Sequence, residues 1–229
     1  MKSQEVTKSA KNPHGRWYDD ACGTAFGLEL LGERWSLLIV RELMFGPRRF
    51  SDIRAGLPGI SAKVLTERLT GLEEYGVVVR ETATEPVPMR LYRLTEWGYA
   101  AEPIIRELGR WAAASPLHDP TLPLSPASLM LSFRTMLDRT AARGMMMQVG
   151  FDIGSVSFTA RLADADMPVK RGRPDAPDLR FAAKEAPSLA ALFYGDVSAQ
   201  EAGVRIEGDA DLARRFVGLF NLPQKVGVV

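Results

Sequence analysis

Apolar residues along the first half of the chain recur mostly at helical spacing. Leu28, Leu31, Trp35 and Leu38 stand at i, i+3, i+7 and i+10 with Gly32 interrupting them, which predicts a helix near 19–31 and a second over 35–44. Gly46-Pro47 ends the second, and a short third helix over 50–55 is closed by Gly56-Leu57-Pro58-Gly59. Ser61 occupies an N-cap position before a fourth helix over 62–75. There Leu65, Leu69 and Leu72 form one apolar face and leave Lys63, Thr66, Glu67 and Thr70 off it. Residues 77–81 and 89–94 are strand-like, with 84–88 as the tip of a hairpin. A last helix is expected over 96–114, carrying Trp97, Ile104, Leu108 and Trp111.

The rhythm changes after a run of four prolines in twelve residues, 115–126. Proline removes a backbone donor and disfavours helix at the residue before it, so this run predicts an extended linker. Beyond it Pro126 opens an amphipathic helix with Leu129, Phe133, Met136 and Leu137 on one face, closed at Gly144. Met145, Met147, Val149 and Phe151 then alternate with Met146, Gln148, Gly150 and Asp152. After a turn at Ile153-Gly154, Val156, Phe158, Ala160 and Leu162 alternate with polar partners, which predicts a hairpin. A weaker strand over 167–173, a strand at 179–183, a helix over 187–194, a strand at 204–208 and a helix over 210–220 complete the pattern. Strands flanked by helices predict an α+β layer. The expected organisation is two domains, 1–115 and 127–229, joined by 116–126.

Composition narrows the classes. The 229 residues are 46% hydrophobic and 25% charged, with 29 Lys and Arg against 28 Asp and Glu, so disorder and disulfide-rich scaffolds are excluded. No apolar run reaches the ~20 residues of a membrane span. The start lacks the apolar stretch of a signal peptide, and a cytoplasmic protein is expected. A net charge of +1 announces no nucleic-acid binder, but charge is local. Between Arg48 and Arg68 lie five basic residues (Arg48, Arg49, Arg54, Lys63, Arg68) and two acidic ones (Asp52, Glu67). Phosphate neutralisation needs a basic face rather than a basic protein. Three short helices, a hairpin and a closing helix around that stretch predict a winged helix-turn-helix. In such a module the helix after the turn enters the major groove.

The run Leu30-Leu-Gly-Glu-Arg-Trp-Ser-Leu-Leu-Ile-Val-Arg-Glu-Leu-Met-Phe-Gly-Pro-Arg-Arg-Phe50-Ser-Asp-Ile resembles the HxlR family of bacterial transcription regulators. Leu57-Pro-Gly-Ile-Ser-Ala-Lys-Val-Leu-Thr-Glu-Arg-Leu69, Leu72-Glu-Glu-Tyr-Gly76 and Tyr92-Arg-Leu-Thr-Glu-Trp-Gly98 continue the likeness over about 20–114. The resemblance implies a homodimer, formed largely by the first and last helices of the module, on a two-fold-related site in double-stranded DNA. It makes Ser61, Lys63 and Thr66 groove-facing residues and Arg68 a phosphate contact. Arg34, Arg48, Arg49 and the wing residue Arg90 become backbone contacts. Trp35 and Trp111 are expected to pack in the core or the dimer. Some members of the family sense oxidants through a cysteine near Cys22, the one cysteine of this chain. Asp19 and Asp20 beside it are expected to raise its pKa, so a buried inert thiol and a sensor both stay open.

The second half resembles the sterol carrier protein type 2 domain over about 125–220. The likeness is carried by Val149-Gly-Phe-Asp152, Arg171-Gly-Arg-Pro-Asp-Ala-Pro-Asp-Leu-Arg-Phe181, Leu189-Ala-Ala-Leu-Phe-Tyr-Gly195 and Val204-Arg-Ile-Glu-Gly-Asp-Ala-Asp-Leu212. It implies an apolar pocket for a fatty acyl, sterol-like or other lipophilic molecule. The candidate lining is Phe133, Met136, Met145, Met147, Val149, Phe151, Phe158, Phe181, Phe193, Phe216 and Phe220, with a solid core as the alternative. No enzyme is expected. His14 and His118 are far apart in sequence, no metal-ligand cluster or nucleophile set is visible, and Gly56-Leu-Pro-Gly59 lacks the context of a phosphate loop. No cofactor is implied. The combined expectation is a DNA-binding homodimer whose C-terminal domain takes an apolar effector. The alternatives are a C-terminal lipid carrier or dimer brace, or oxidant sensing through Cys22.

Overall fold

The computed structural model describes residue 18 and residues 20–83 and 88–227; His14, Asp19 and the hairpin tip at 84–87 lie outside the described residues. The N-terminal region is a helical winged helix-turn-helix. Its elements are α1 (Gly23–Leu31), α2 (Ser36–Leu43), α3 (Phe50–Ala55), α4 (Ala62–Glu74), β1 (Val78–Ala83), β2 (Met89–Leu94), α5 (Glu96–Tyr99) and α6 (Glu102–Ala113). β1 and β2 pair antiparallel from Val78↔Leu94 to Ala83↔Met89, and an isolated bridge ties Arg48 to Tyr92 on β2. Ser61 caps α4 by accepting the Val64 N–H at 3.2 Å, and Leu65, Leu69 and Leu72 bury the face that the apolar spacing predicts.

Two expectations need correction here. Trp35 does not open the second helix; it sits at its N-cap in the left-handed region, φ 82°, an unusual place for a bulky side chain. The long last helix is two helices, broken at Ala100-Ala101. Pro103 lies in the first turn of α6, where a missing N–H costs nothing, and it prevents α5 from continuing through it. Gly98 is buried where a Cβ would collide with the Val77 carbonyl, so α5 rests directly on the end of the wing.

The C-terminal region combines a mixed sheet with helices. α7 (Pro126–Met136), β3 (Met147–Ile153), β4 (Val156–Leu162), β5 (Val169–Arg171), β6 (Leu179–Ala183), α8 (Ala186–Tyr194), β7 (Arg205–Gly208) and α9 (Ala210–Val217) follow in chain order. The sheet order is β5-β4-β3-β6-β7, antiparallel except for the parallel pair β3 and β6. The register puts Val149, Phe151, Phe158, Ala160, Leu179 and Phe181 on one buried face. The other face is polar. There Asp152 accepts from Ser157 at 2.5 Å, Arg173 at 3.0 Å and Arg180 at 3.1 Å.

Residues 116–125 hold no helix or strand, yet they do not keep the two regions apart. α7 packs on both α2 and α6. Arg134 pairs with Glu102 at 2.6 Å, Arg106 donates to the Arg134 carbonyl, and Arg110 donates to that of Thr135. Phe45, just beyond α2, meets Phe158 of β4 edge-on at 5.7 Å between ring centroids. Buried residues of both halves join one hydrophobic cluster. Near the other end, Lys225 donates to the carbonyls of Ala113 and Ser115, and the Val226 N–H to that of Ala114.

Candidate nucleic-acid interface

The first turn of α4 stands in solvent. Ser61, Ala62, Lys63, Thr66 and Glu67 are all exposed, and Lys63 is 86% so. The opposite face, Leu65 and Leu69, is locked in the core, which fixes the direction in which the polar residues point. Ser61 uses an oxygen lone pair as the helix cap and keeps its hydroxyl proton to donate. Thr66 donates its own proton to the Ala62 carbonyl at 3.0 Å, so its free capacity is as an acceptor. Lys63 lies 4.0 Å from Glu67, an exposed pair that salt and water screen.

The arginines divide into two groups. Arg34, Arg49, Arg54 and Arg90 are exposed and, among the described residues, in no ion pair. Arg49 and Arg90 line one open groove between the start of α3 and the wing, with Met89 between them; the Arg49 Nε lies 3.2 Å from the Met89 sulfur. The Arg34 guanidinium lies over the Trp35 ring at 5.3 Å. Arg54, one of the five basic residues between Arg48 and Arg68, joins this group through a lack of ion pairs that only the structure reveals.

Arg48 and Arg68, also expected at the DNA backbone, form the second group and are paired with carboxylates. The half-buried Arg68 pairs with Glu33 at 3.0 Å and donates to the Arg34 carbonyl at 3.2 Å, clamping α4 to the α1–α2 turn. Arg48 turns inward, donating to the Asp52 carbonyl, with Glu42 at 3.9 Å and the Asp52 carboxylate at 4.0 Å. In both, neighbouring carboxylates already offset part of the charge that a phosphate would meet. Arg80 and Arg93 on the wing are likewise paired, with Glu73 at 2.6 Å and Glu81 at 2.8 Å.

A second surface belongs to the same region. Leu28, Trp97, Ile104 and Trp111 stay open to solvent, Ile104 by 58% and Trp111 by 76%. Ile104, Leu108 and Trp111 follow i, i+4, i+7 along α6. Beside them an apolar groove of about 200 Å³ runs between α1 and α5–α6, lined by Phe26, Leu30, Leu31 and Trp97 among others. A contiguous apolar face of this kind marks an interaction surface.

Cys22 is exposed at the N-cap of α1. The N–H groups of Thr24 and Ala25, followed by the Thr24 side chain, hold its thiol below the ordinary cysteine value. This reverses the expectation that neighbouring carboxylates raise it. The Asp20 carboxylate is itself engaged, accepting the Cys22 N–H at 2.9 Å.

Of the two readings of the apolar residues in the C-terminal region, the packing favours the solid core. Phe133, Phe151, Phe181, Phe193, Phe216 and Phe220 pack ring against ring, with neighbouring centroids 4.4 to 6.4 Å apart. All six are buried, as are Met136, Met147, Val149 and Phe158, while Met145 packs at the cluster's edge. Side chains of this volume, meeting from three helices and two strands, fill the layer between them. Among the described residues, no three His, Cys, Asp or Glu side chains are grouped to hold a metal ion, and no helix is long and apolar enough to cross a membrane.

Comparison with known proteins bears on the first region. The family of HxlR-like helix-turn-helix proteins matches residues 30–118. YvaP of Bacillus subtilis (strain 168), an HTH-type transcriptional regulator, is 46% identical over 86 residues, which are 37% of this chain and 79% of YvaP. The chain belongs to the HxlR-like helix-turn-helix family. YodB, an HTH-type transcriptional regulator of the same organism, is 43% identical over 83 residues, 36% of this HxlR-like chain and 74% of YodB. A solved structure of YodB in its reduced form matches with a TM-score of 0.39 at 38% identity, covering 43% of this chain and 98% of that one. The matched family residues run from the end of α1 to just beyond α6 and stop before α7.

Proposed function

We propose that the protein is a transcription regulator that binds duplex DNA as a homodimer. α4 enters the major groove with Ser61, Lys63 and Thr66 at base edges, while Arg49, Arg90, Arg34 and Arg54 meet phosphates. The observation that carries this reading is the contrast among the arginines. Among the described residues of the helix-turn-helix region, Arg34, Arg49, Arg54 and Arg90 are exposed and in no ion pair, whereas Arg48, Arg68, Arg80 and Arg93 are held by carboxylates. A second copy covers the apolar face of α1, α5 and α6. That places two copies of α4 in a two-fold relation, as a palindromic site requires. Selection from a random duplex pool tests the reading: a two-fold-related sequence is expected, and recovery of unrelated or single-copy sequences overturns it.

The C-terminal region braces this dimer unit. α7 clamps α2 and α6, and the filled aromatic layer favours a solid module over an apolar effector pocket or a lipid carrier. Lipid binding between its mixed sheet and helices α7–α9 would require the aromatic layer to open. Titration with vesicle-delivered oleate is expected to leave Phe133 and Phe193 environments unchanged, and a saturable shift in both would restore the carrier reading. A second reading, thiol sensing, is favoured by the exposed Cys22 at a helix N-cap with a lowered pKa. Mild peroxide that modifies Cys22 without changing DNA affinity would contradict it.

A further inference from the structure

Between the two regions lies a cavity of about 580 Å³, within the range of small-molecule sites. Its polar lining comes from both sides: Glu42, Arg48 and Asp52 from the helix-turn-helix, Ser125 from the cap of α7, and Arg171 from edge strand β5. Val156 and several prolines supply apolar walls. Glu42 is 1% exposed, and its Oε1 accepts from Arg41 at 3.1 Å and from Ser125 at 2.5 Å, while Arg48 stands 3.9 Å from Oε2. Gly56 packs so tightly against its carboxylate that a Cβ there would overlap it.

Arg171 is the group left over. Its guanidinium lies over the Phe158 ring at 4.9 Å, and its Nε and Nη2 are sealed from solvent without a hydrogen-bond partner. Burial, then repulsion from Arg48, push it down to about 10, against the pull of Glu42 and Asp52. Arginine donors buried without an acceptor are costly, and a carboxylate in the cleft matches the fork once the guanidinium turns off the Phe158 ring toward it. Among the charged residues that line the cleft, Arg48 and Arg171 stand against Glu42 and Asp52, so the count balances and what is unmet is the Arg171 fork. A dianion would add excess negative charge beside those carboxylates.

The geometry points to this cleft as the binding site of a small monocarboxylate with an apolar body, held by Arg171 and Arg48. The regulatory consequence rests on the DNA-binding reading above. Arg48 exchanges both backbone hydrogen bonds with Tyr92 of the wing at 2.8 Å, and Arg49 follows it directly. A ligand that engages Arg48 therefore acts on the segment proposed to hold phosphate, and linkage makes DNA alter ligand affinity by the same factor.

Calorimetry on the full chain with hexanoate against hexanamide, and phenylacetate against phenylacetamide, tests the site without DNA. At least one carboxylate should bind more tightly than its amide by about tenfold or more. Arg171→Met should abolish that preference while the protein stays folded, since Met keeps an apolar stem against Phe158 and removes two buried donors that lack acceptors. Carboxylates no better than amides, inorganic phosphate bound as tightly, or a preference that survives in Arg171→Met would overturn the proposal. In gel shifts on the selected duplex, the bound carboxylate should change wild-type DNA affinity severalfold and leave Arg171→Met unaffected. Unchanged wild-type affinity would overturn the regulatory role. No shifted duplex even without carboxylate would mark failure of the DNA-binding reading, and the calorimetry stands independently of that outcome.

Discussion

The two halves of the molecule treat their large apolar side chains in opposite ways. Among the described residues, the C-terminal region buries six phenylalanines in one layer, none more than 4% exposed. The winged helix-turn-helix leaves Trp97, Ile104 and Trp111 more than half exposed. The first arrangement is complete within one chain. The second is left open by one chain, as the proposed dimer requires, and it lies on a region whose relatives are named as transcriptional regulators. Disrupting each half should therefore have different consequences.

The largest effect is expected in the aromatic layer. Phe133 touches Phe151, Phe193, Tyr194 and Phe220. Phe133→Ala should lower unfolding stability by about 3–5 kcal/mol, measured by urea denaturation. A loss below about 1 kcal/mol would show that the layer is loosely packed, contrary to the reading of a solid module. On the other half, Trp111→Ala removes a side chain that one chain leaves in water. It should barely change monomer stability while weakening the dimer about 30-fold or more, the scale of a ~2 kcal/mol interface anchor. Sedimentation across a concentration series reads this directly, and an unchanged dimer would place the interface elsewhere.

The arginines give a finer contrast within one region. Arg49→Ala and Arg90→Ala should each weaken binding to all duplexes alike and reduce the salt slope by about one. Arg68→Ala should instead cost stability, on the order of 1 kcal/mol, through loss of its clamp to Glu33 and the Arg34 carbonyl. The smallest effect concerns pH. Burial opposes ionisation of Asp152, but hydrogen bonds from Ser157, Arg173 and Arg180 outweigh it and hold the carboxyl below its usual range. Its contribution is thus complete above the unfolded carboxyl pKa, near ~3.9, and is lost as pH falls toward the folded value. Asp152→Asn should flatten the acid limb of the stability curve there, and an unchanged limb would contradict the assignment.

These contrasts also show what a sequence can carry. Short-range patterns were readable: Leu65, Leu69 and Leu72 betray α4, Ser61 its cap, and the alternation around Ile153-Gly154 the hairpin of β3 and β4. The break at Ala100-Ala101 had a local signal in Pro103, outweighed by the continuing apolar period on either side. Long-range pairings had none. Nothing near Arg68 announces that Glu33, thirty-five residues earlier, holds it. The parallel pairing of β3 with β6 joins segments some thirty residues apart, and the cleft around Arg171 needs both halves of the chain. Residue types at the site were therefore visible, but which of them stay free was decided by partners distant in sequence.

The central claim is that the exposed turn of α4 reads DNA while the free arginines only hold it. The direct measurement repeats the duplex selection with Lys63→Ala and Thr66→Ala and compares the recovered sites with those of Arg49→Ala. The account predicts altered preference at the same positions of both half-sites for the α4 variants, and an unchanged site with weaker binding for Arg49→Ala. Recovery of the wild-type site by both α4 variants, with undiminished affinity, would contradict it.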